Sequence, residues 1–92
     1  MHNQKAKQKK LIALKKASSL LKKITQMVED EQYCVDIMQQ NLAVIGLLKS
    51  FHSQVMEAHL ESCLAKALES KDKQAEKRML KEIMTVNNLF NR

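Results

Sequence analysis

The sequence predicts an all-α protein, and three observations carry that prediction. The 92 residues contain no proline and a single glycine, so the usual turn and breaker residues are almost missing. Aromatic residues make up 3% of the chain, while Leu, Lys, Ala, Met, Gln and Glu are abundant, which favours helix over strand. Apolar residues also recur at helical intervals along most of the chain. The length allows one domain over 1–92, with helices at about 5–28, 32–69 and 73–88 and no linker or internal repeat. So short a helical chain builds little core of its own, and burial by oligomerisation is expected.

The first helix is expected from Leu11, Leu14, Leu21, Ile24 and Val28, an amphipathic stripe with Ala17 or Ser18 filling its gap and lysines on the outer face. Glu29, Asp30 and Glu31 interrupt the pattern and place negative charge where a second helix begins, which favours its N-terminus. In the second helix Ile37, Asn41, Val44, Leu48, Phe51, Val55 and Ala58 form one row. Met38, Leu42, Ile45, His52, Met56, His59 and Cys63 form the adjacent row. So wide an apolar arc, on a helix far longer than average, reads as an oligomer spine contacted on two sides. Ser70 or Asp72 is the N-cap expected for the third helix. Its Ala75, Met79, Ile83 and Leu89, with Leu80 and Met84, are expected to lie on the second helix.

The net charge is +6 and unevenly placed: Met1 to Val28 holds eight lysines and no acid. Such an arm suits phosphate, in nucleic acid or at an anionic membrane surface; a solvated helix face accounts for it equally well. Arginine, the bidentate reader of guanine, occurs only as Arg78 and Arg92, so the charge favours backbone contact over base reading. No apolar run reaches the roughly 18 residues of a membrane span, and the first residues lead into no signal-type core. A cytosolic location is expected, where two cysteines read as thiols or ligands in preference to a disulfide.

Those cysteines, with one histidine, are the chemistry of this chain. His59 and Cys63 are four residues apart, on one helix face. Cys34 lies 25 residues before His59, within roughly 20° of a whole number of turns, so all three share a stripe. Along a continuous helix Cys34 is roughly 37 Å from His59, at about 1.5 Å per residue. One chain therefore cannot close a site from them. Two antiparallel copies can, with Cys34 of one meeting His59 and Cys63 of the other. Such helices would cross near residue 47 or 48, beside Gly46. The alternative is structural: cysteine is often a small core hydrophobe, and a mid-helix glycine is tolerated at roughly 1 kcal/mol.

If a metal binds, thiolates favour Cu(I), Zn²⁺ or iron–sulfur chemistry. Structural zinc and iron–sulfur clusters want four ligands. Two sulfurs and one nitrogen suit three-coordinate Cu(I); zinc needs a fourth ligand, from water or His2. His52, two turns before His59, is expected in or beside the core, and Met38 and Met56 are expected to pack. No nucleophile–base arrangement, phosphate loop or paired buried carboxylates are present, so the chain does not read as an enzyme.

The run Met27-Val28-Glu29-Asp30-Glu31-Gln32-Tyr33-Cys34-Val35-Asp36-Ile37-Met38 resembles the first signature of the CsoR/RcnR family, the copper-sensitive operon repressors and relatives. The stretch from Gln40 to Val44 resembles the segment that follows, and Met56 to Cys63 the second signature. The Cys-His-Cys spacing is similar to that of the Cu(I)-sensing branch. The resemblance implies a three-helix protomer, an antiparallel dimer whose first two helices form a four-helix bundle, and commonly a dimer of dimers. It implies an intersubunit Cu(I) site of Cys34, His59 and Cys63, and repression relieved when Cu(I) releases the protein from DNA. Tyr33 matches an outer-shell position. Met79 stands where copper sensors usually carry a glutamate, with Glu76 and Glu82 one turn to either side as weak substitutes.

The chain departs from the resemblance at positions linked to operator binding. Ala13 replaces an arginine, Ser19 and Leu20 replace a Gly-Gln pair, and Ser50 and Ser53 replace basic residues. Lys15, Lys16, Lys22, Lys23 and Lys49 compensate in charge but not with a bidentate fork. Two functions follow: a Cu(I)-responsive repressor that binds duplex DNA as a homodimer or homotetramer, or a cytosolic Cu(I) buffer or carrier of the same fold without specific DNA binding. Persulfide sensing at the two cysteine positions is a third, which an imidazole at His59 does not favour.

Overall fold

Four α-helices and one π-helical turn account for nearly all of the computed structural model, which describes residues 4–90. They are α1 (Gln4–Glu29), α2 (Cys34–Ala58), a π segment (His59–Leu64), α3 (Ala65–Glu69) and α4 (Lys73–Phe90). No strand occurs among the described residues, as the composition requires. The long second helix expected at 32–69 begins two residues later, at Cys34, and its last turns change from α to π to α without passing through coil. The last helix runs to Phe90, two residues beyond the expected end. The chain groups into two units, Met1–Met56 and Glu57–Arg92.

In the first unit α1 and α2 form an antiparallel hairpin. The connection at 30–33 is short, and Lys16 and Leu47, about equally far from it, line one groove. The turn is built from backbone hydrogen bonds. Gln32 N–H donates to Met27 O at 3.0 Å and Glu31 N–H to Val28 O at 3.1 Å. Glu31 is left-handed, with φ 53°, so the pair forms a Schellman closure with glutamate where glycine is usual.

The row that α1 turns toward α2 is Ala13, Ala17, Leu20, Ile24 and Met27, spaced four, three, four, three. Ala13, Ala17 and Met27 are buried, and Leu20 and Ile24 half-buried. The facing row on α2 is Ile37, Gln40, Val44, Leu47, Phe51 and Gln54, with Val44 only 4% exposed. This corrects the expected stripe. Leu11, Leu14, Leu21 and Val28 are exposed, with Leu21 at 50% and Val28 at 57%; only Ile24 of that set faces inward. The physical reason is distance. Alanine lets two helix backbones approach closely, so the small residues take the intrachain contact and the large ones are left on the flank.

The flanks differ in kind. In an antiparallel pair, right-handed helices running in opposite directions bring the positions one residue after each contact row to the same side. That side carries Leu14, Ser18, Leu21, Thr25 and Val28 of α1 with Cys34, Met38, Asn41, Ile45, Leu48, His52 and Val55 of α2, a mainly apolar set. The positions one residue before the contact rows form the other side: Lys5, Lys9, Ile12, Lys16, Ser19 and Lys23 of α1, with Asp36, Gln39, Ala43, Gly46, Ser50 and Ser53 of α2. The hairpin thus has an apolar side and a lysine-lined side. Gly46 lies on the second, away from Cys34, and nothing stands within 4 Å of where its Cβ would be.

In the second unit α3 packs against the π segment and α4. Ala67 is buried, and Ala75, Met79, Ile83 and Phe90 are the half-buried apolar residues of α4. Leu80, Met84 and Leu89, expected to pack inward, are exposed. They lie off the row of Ala75, Met79 and Ile83, and a helix of five residues such as α3 is too short to cover both rows. Asp72 caps α4: its Oδ1 accepts from Gln74 N–H at 3.0 Å and Ala75 N–H at 3.3 Å. Ser70 serves the connector instead, donating to Ala67 O at 2.7 Å and accepting from Asp72 N–H at 3.2 Å.

Candidate metal centre and basic face

Cys34 is the first residue of α2 and is exposed as a free thiol. Tyr33 precedes it as the capping position: its carbonyl accepts from Asp36 N–H at 3.1 Å and Ile37 N–H at 3.2 Å. Asp36 places a negative charge in the first turn, which the helix dipole favours. Seven-residue spacing carries Cys34 into the row of Asn41, Leu48 and Val55, so the thiol belongs to the hairpin's apolar side. The Tyr33 side chain is exposed.

His59 and Cys63 are both half-buried, and both lie inside the π segment. This turn has no counterpart in the expected pattern of α periodicity. Ser62, beside Cys63, donates its hydroxyl to Ala58 O at 2.8 Å, and its Oγ lies 3.7 Å from Cys63 Sγ. Hydroxyl back-bonding to the carbonyl four residues earlier is the one sequence-readable signal of irregularity here. The same bond at Thr25 and Thr85 leaves the helix regular, however, so the signal is weak.

Among the described residues, no three His, Cys, Asp or Glu side chains of one chain converge on a point that could hold a metal ion. The donor set itself, two thiols and an imidazole, fits a soft ion of low coordination number and lacks the fourth ligand of a structural zinc site. His52 is half-buried on α2, and His2 lies outside the described residues. Of the outer positions, Glu76 and Met79 are half-buried on α4, while Glu82 is exposed and lines a shallow groove with Arg78, Lys81, Thr85 and Val86.

Lys15, Lys16, Lys22, Lys23 and Lys49 are all exposed, but they do not act as one group. Lys16 and Lys23 belong to the lysine side. Lys15 lines a groove with Leu47 of α2 beside that side, while Lys22 lies on the face of α1 opposite its contact row and Lys49 on that of α2. The residues missed by the sequence reading are Lys5 and Lys9, which extend the Lys16–Lys23 row; the seven-residue spacing of Lys9, Lys16 and Lys23 is the signal that finds them. Lys15, Lys16, Ser19 and Leu20 with Leu47 form a groove of about 360 Å³ beside this row. Ala13, at 7% exposure, is packed inside the hairpin and offers nothing to a ligand. No helix is long and apolar enough to cross a membrane among the described residues.

In class, this is a small all-helical protein whose helical hairpin keeps a thiol on one side and a row of lysines on the other. The chain belongs to the family of metal-sensitive transcriptional repressors, whose profile matches residues 6–88. It is 37% identical over 59 residues to the copper-sensing transcriptional repressor CsoR of Bacillus subtilis (strain 168), covering 64% of this chain and 58% of that one. It is 29% identical over 55 residues to the copper-sensing transcriptional repressor RicR of Mycobacterium tuberculosis (strain ATCC 25618 / H37Rv), covering 60% and 57%. These matches span less than two thirds of the length of the curated relatives. Over its whole length the fold is similar to the crystal structure of the copper-sensing repressor CsoR with Cu(I) from Geobacillus thermodenitrificans NG80-2. The TM-score is 0.85 at 27% identity, covering 100% of this chain and 93% of that one.

Proposed function

We propose that this chain is a Cu(I)-responsive transcriptional repressor, a regulator and not a catalyst, acting in the cytosol as a homodimer or a dimer of dimers. The observation that carries the reading is the place of Cys34: an exposed thiol on the open apolar side of the hairpin, where a second hairpin would bury it. Two such sides packed together make a four-helix bundle. Cys34 of one protomer then meets the partner subunit's His59 and Cys63, and these three residues hold the ion. Bound Cu(I) supplies a soft, low-coordination centre that links the two protomers through thiolate and imidazole. Tyr33, with Glu76 and Glu82 in place of a glutamate at position 79, is assigned to the outer shell that orients the donors.

The lysine side is assigned to duplex DNA. Lys5, Lys9, Lys16 and Lys23 form a row of point charges suited to phosphates, with Lys15, Lys22 and Lys49 raising the local potential. The copper-sensing repressors of Bacillus and Mycobacterium support the reading as relatives. The test is a DNA-binding titration of the apo and Cu(I) forms at two salt concentrations, using the chain's own promoter region. Tight binding at low salt that weakens with salt, and weakens again with Cu(I), is expected. Failure to shift that DNA at low salt overturns it.

One observation favours a second reading, a cytosolic Cu(I) buffer or carrier without specific DNA binding. Ser19, Ser50 and Ser53, three departures from the family's pattern, all lie on the lysine side, where readout residues would be needed. Cu(I) binding of about one ion per protomer with only nonspecific, salt-sensitive DNA binding would select it.

A further inference from the structure

We propose that Ser62 is a positioning residue for the His59–Cys63 donor pair, an inference that rests on the metal-binding reading above. The π segment spans His59–Leu64, so it encloses both donors. In an α-helix, residues four apart overshoot a full turn by about 40°. A π turn, closed by hydrogen bonds between residues five apart, takes in more residues, so the same two positions fall short of a full turn. The helix type between residues 58 and 64 therefore sets the angle between the imidazole and the sulfur.

Ser62 lies between the start of this turn and the donor sulfur. Its hydroxyl donates to the carbonyl of Ala58, the residue that immediately precedes the π segment, at 2.8 Å. The same oxygen lies 3.7 Å from Cys63 Sγ; with its own proton on Ala58 O it accepts from the thiol, so one side chain touches both the start of the irregular turn and the donor sulfur. Ser62 is half-buried, which limits competition from water. No other hydroxyl in the described residues is hydrogen-bonded to a cysteine. Threonine would preserve the arrangement, because Thr25 and Thr85 make the same back-bond at 2.9 Å.

The experiment compares the wild-type protein with Ser62→Ala and Ser62→Thr. Cu(I) affinity is measured by competition with a chromogenic Cu(I) chelator, the donor geometry by copper X-ray absorption, and folding by helical circular dichroism and thermal melting. Ser62→Ala is expected to lose about tenfold or more in Cu(I) affinity, the range for outer-shell partners of metal ligands. Its copper–sulfur spectrum should change while helix content is kept, and Ser62→Thr should restore both. Wild-type affinity and spectrum in Ser62→Ala would overturn the inference. So would a Ser62→Thr protein as impaired as Ser62→Ala, with a lowered melting temperature in both, since that marks a purely structural role. A wild-type protein that takes no Cu(I) from the chelator would refute the metal-binding reading itself, and this inference with it.

Discussion

Gln32 donates its backbone N–H to the carbonyl oxygen of Met27 at 3.0 Å, closing the hairpin around a left-handed Glu31. The left-handed region costs an ordinary residue roughly 1–2 kcal/mol, and glycine adopts it freely. Part of that gain is offset by the extra freedom glycine brings to the unfolded chain. Glu31→Gly is therefore expected to stabilise the fold by about 1 kcal/mol, several degrees in Tm for a chain of this size. Glu31→Ala, which removes the same carboxylate but keeps a Cβ, should bring no such gain. Equal Tm shifts in the two variants would assign the effect to charge.

The cap of the last helix gives the opposite sign. Asp72 Oδ1 satisfies two N–H groups that the helix cannot pair internally. Asp72→Ala should cost about 1 kcal/mol, and Asp72→Asn considerably less, because asparagine caps nearly as well. Helical circular dichroism against temperature reads both; an unchanged melt in Asp72→Ala would show that the end of α4 frays regardless.

The helices were legible in the sequence because their limits have local causes. No proline interrupts them, the acids from Glu29 to Glu31 mark the first break, and Asp72 marks the second. What was not legible is whose surface an apolar residue meets. Leu14, Leu21 and Val28 read as one face of an amphipathic helix, yet within the chain Ala13 and Ala17 take the contact. Periodicity reports that a face is apolar; backbone spacing, set by the smallest residues, decides which face packs at home. The π turn escaped for another reason. It changes hydrogen-bond register without changing composition, so His59 and Cys63 keep their spacing in sequence while their angle about the axis changes. Residue type and spacing proposed Cys34, His59 and Cys63 as candidate donors, while the angle between His59 and Cys63 about the helix axis was not legible.

Gly46 sits on the lysine side with open space where a side chain would be. An alanine there meets nothing of its own chain and improves helix propensity by about 1 kcal/mol. Gly46→Ala should raise Tm with no change in mass by analytical ultracentrifugation. A fall in mass would mean that two helices cross at this glycine.

The lysine row can be tested through its salt dependence. Removing one lysine–phosphate pairing lowers the slope of log K against log salt by about 0.9. Lys16→Gln with Lys23→Gln should lower the slope by roughly two and weaken binding to specific and nonspecific DNA alike. An unchanged slope would remove these lysines from the DNA interface.

The two sides of the hairpin make the last prediction a paired one. Ile45 shares a side with Cys34, Leu21 and Val28, all exposed in the single chain. Burying that side against a second hairpin yields roughly 1.5–3 kcal/mol for each large aliphatic side chain covered. A carboxylate in the same place loses that contribution and adds the cost of an unpaired charge out of water. Ile45→Glu should therefore reduce the assembly to protomers by analytical ultracentrifugation. It should also abolish tight Cu(I) binding although every donor is retained, because a single chain gathers no three of them. Gln39→Glu introduces the same charge on the opposite side and should leave both mass and Cu(I) affinity unchanged. If Ile45→Glu dissociates and still binds Cu(I) tightly, the ion is held within one chain, and the intersubunit assignment of Cys34 is wrong.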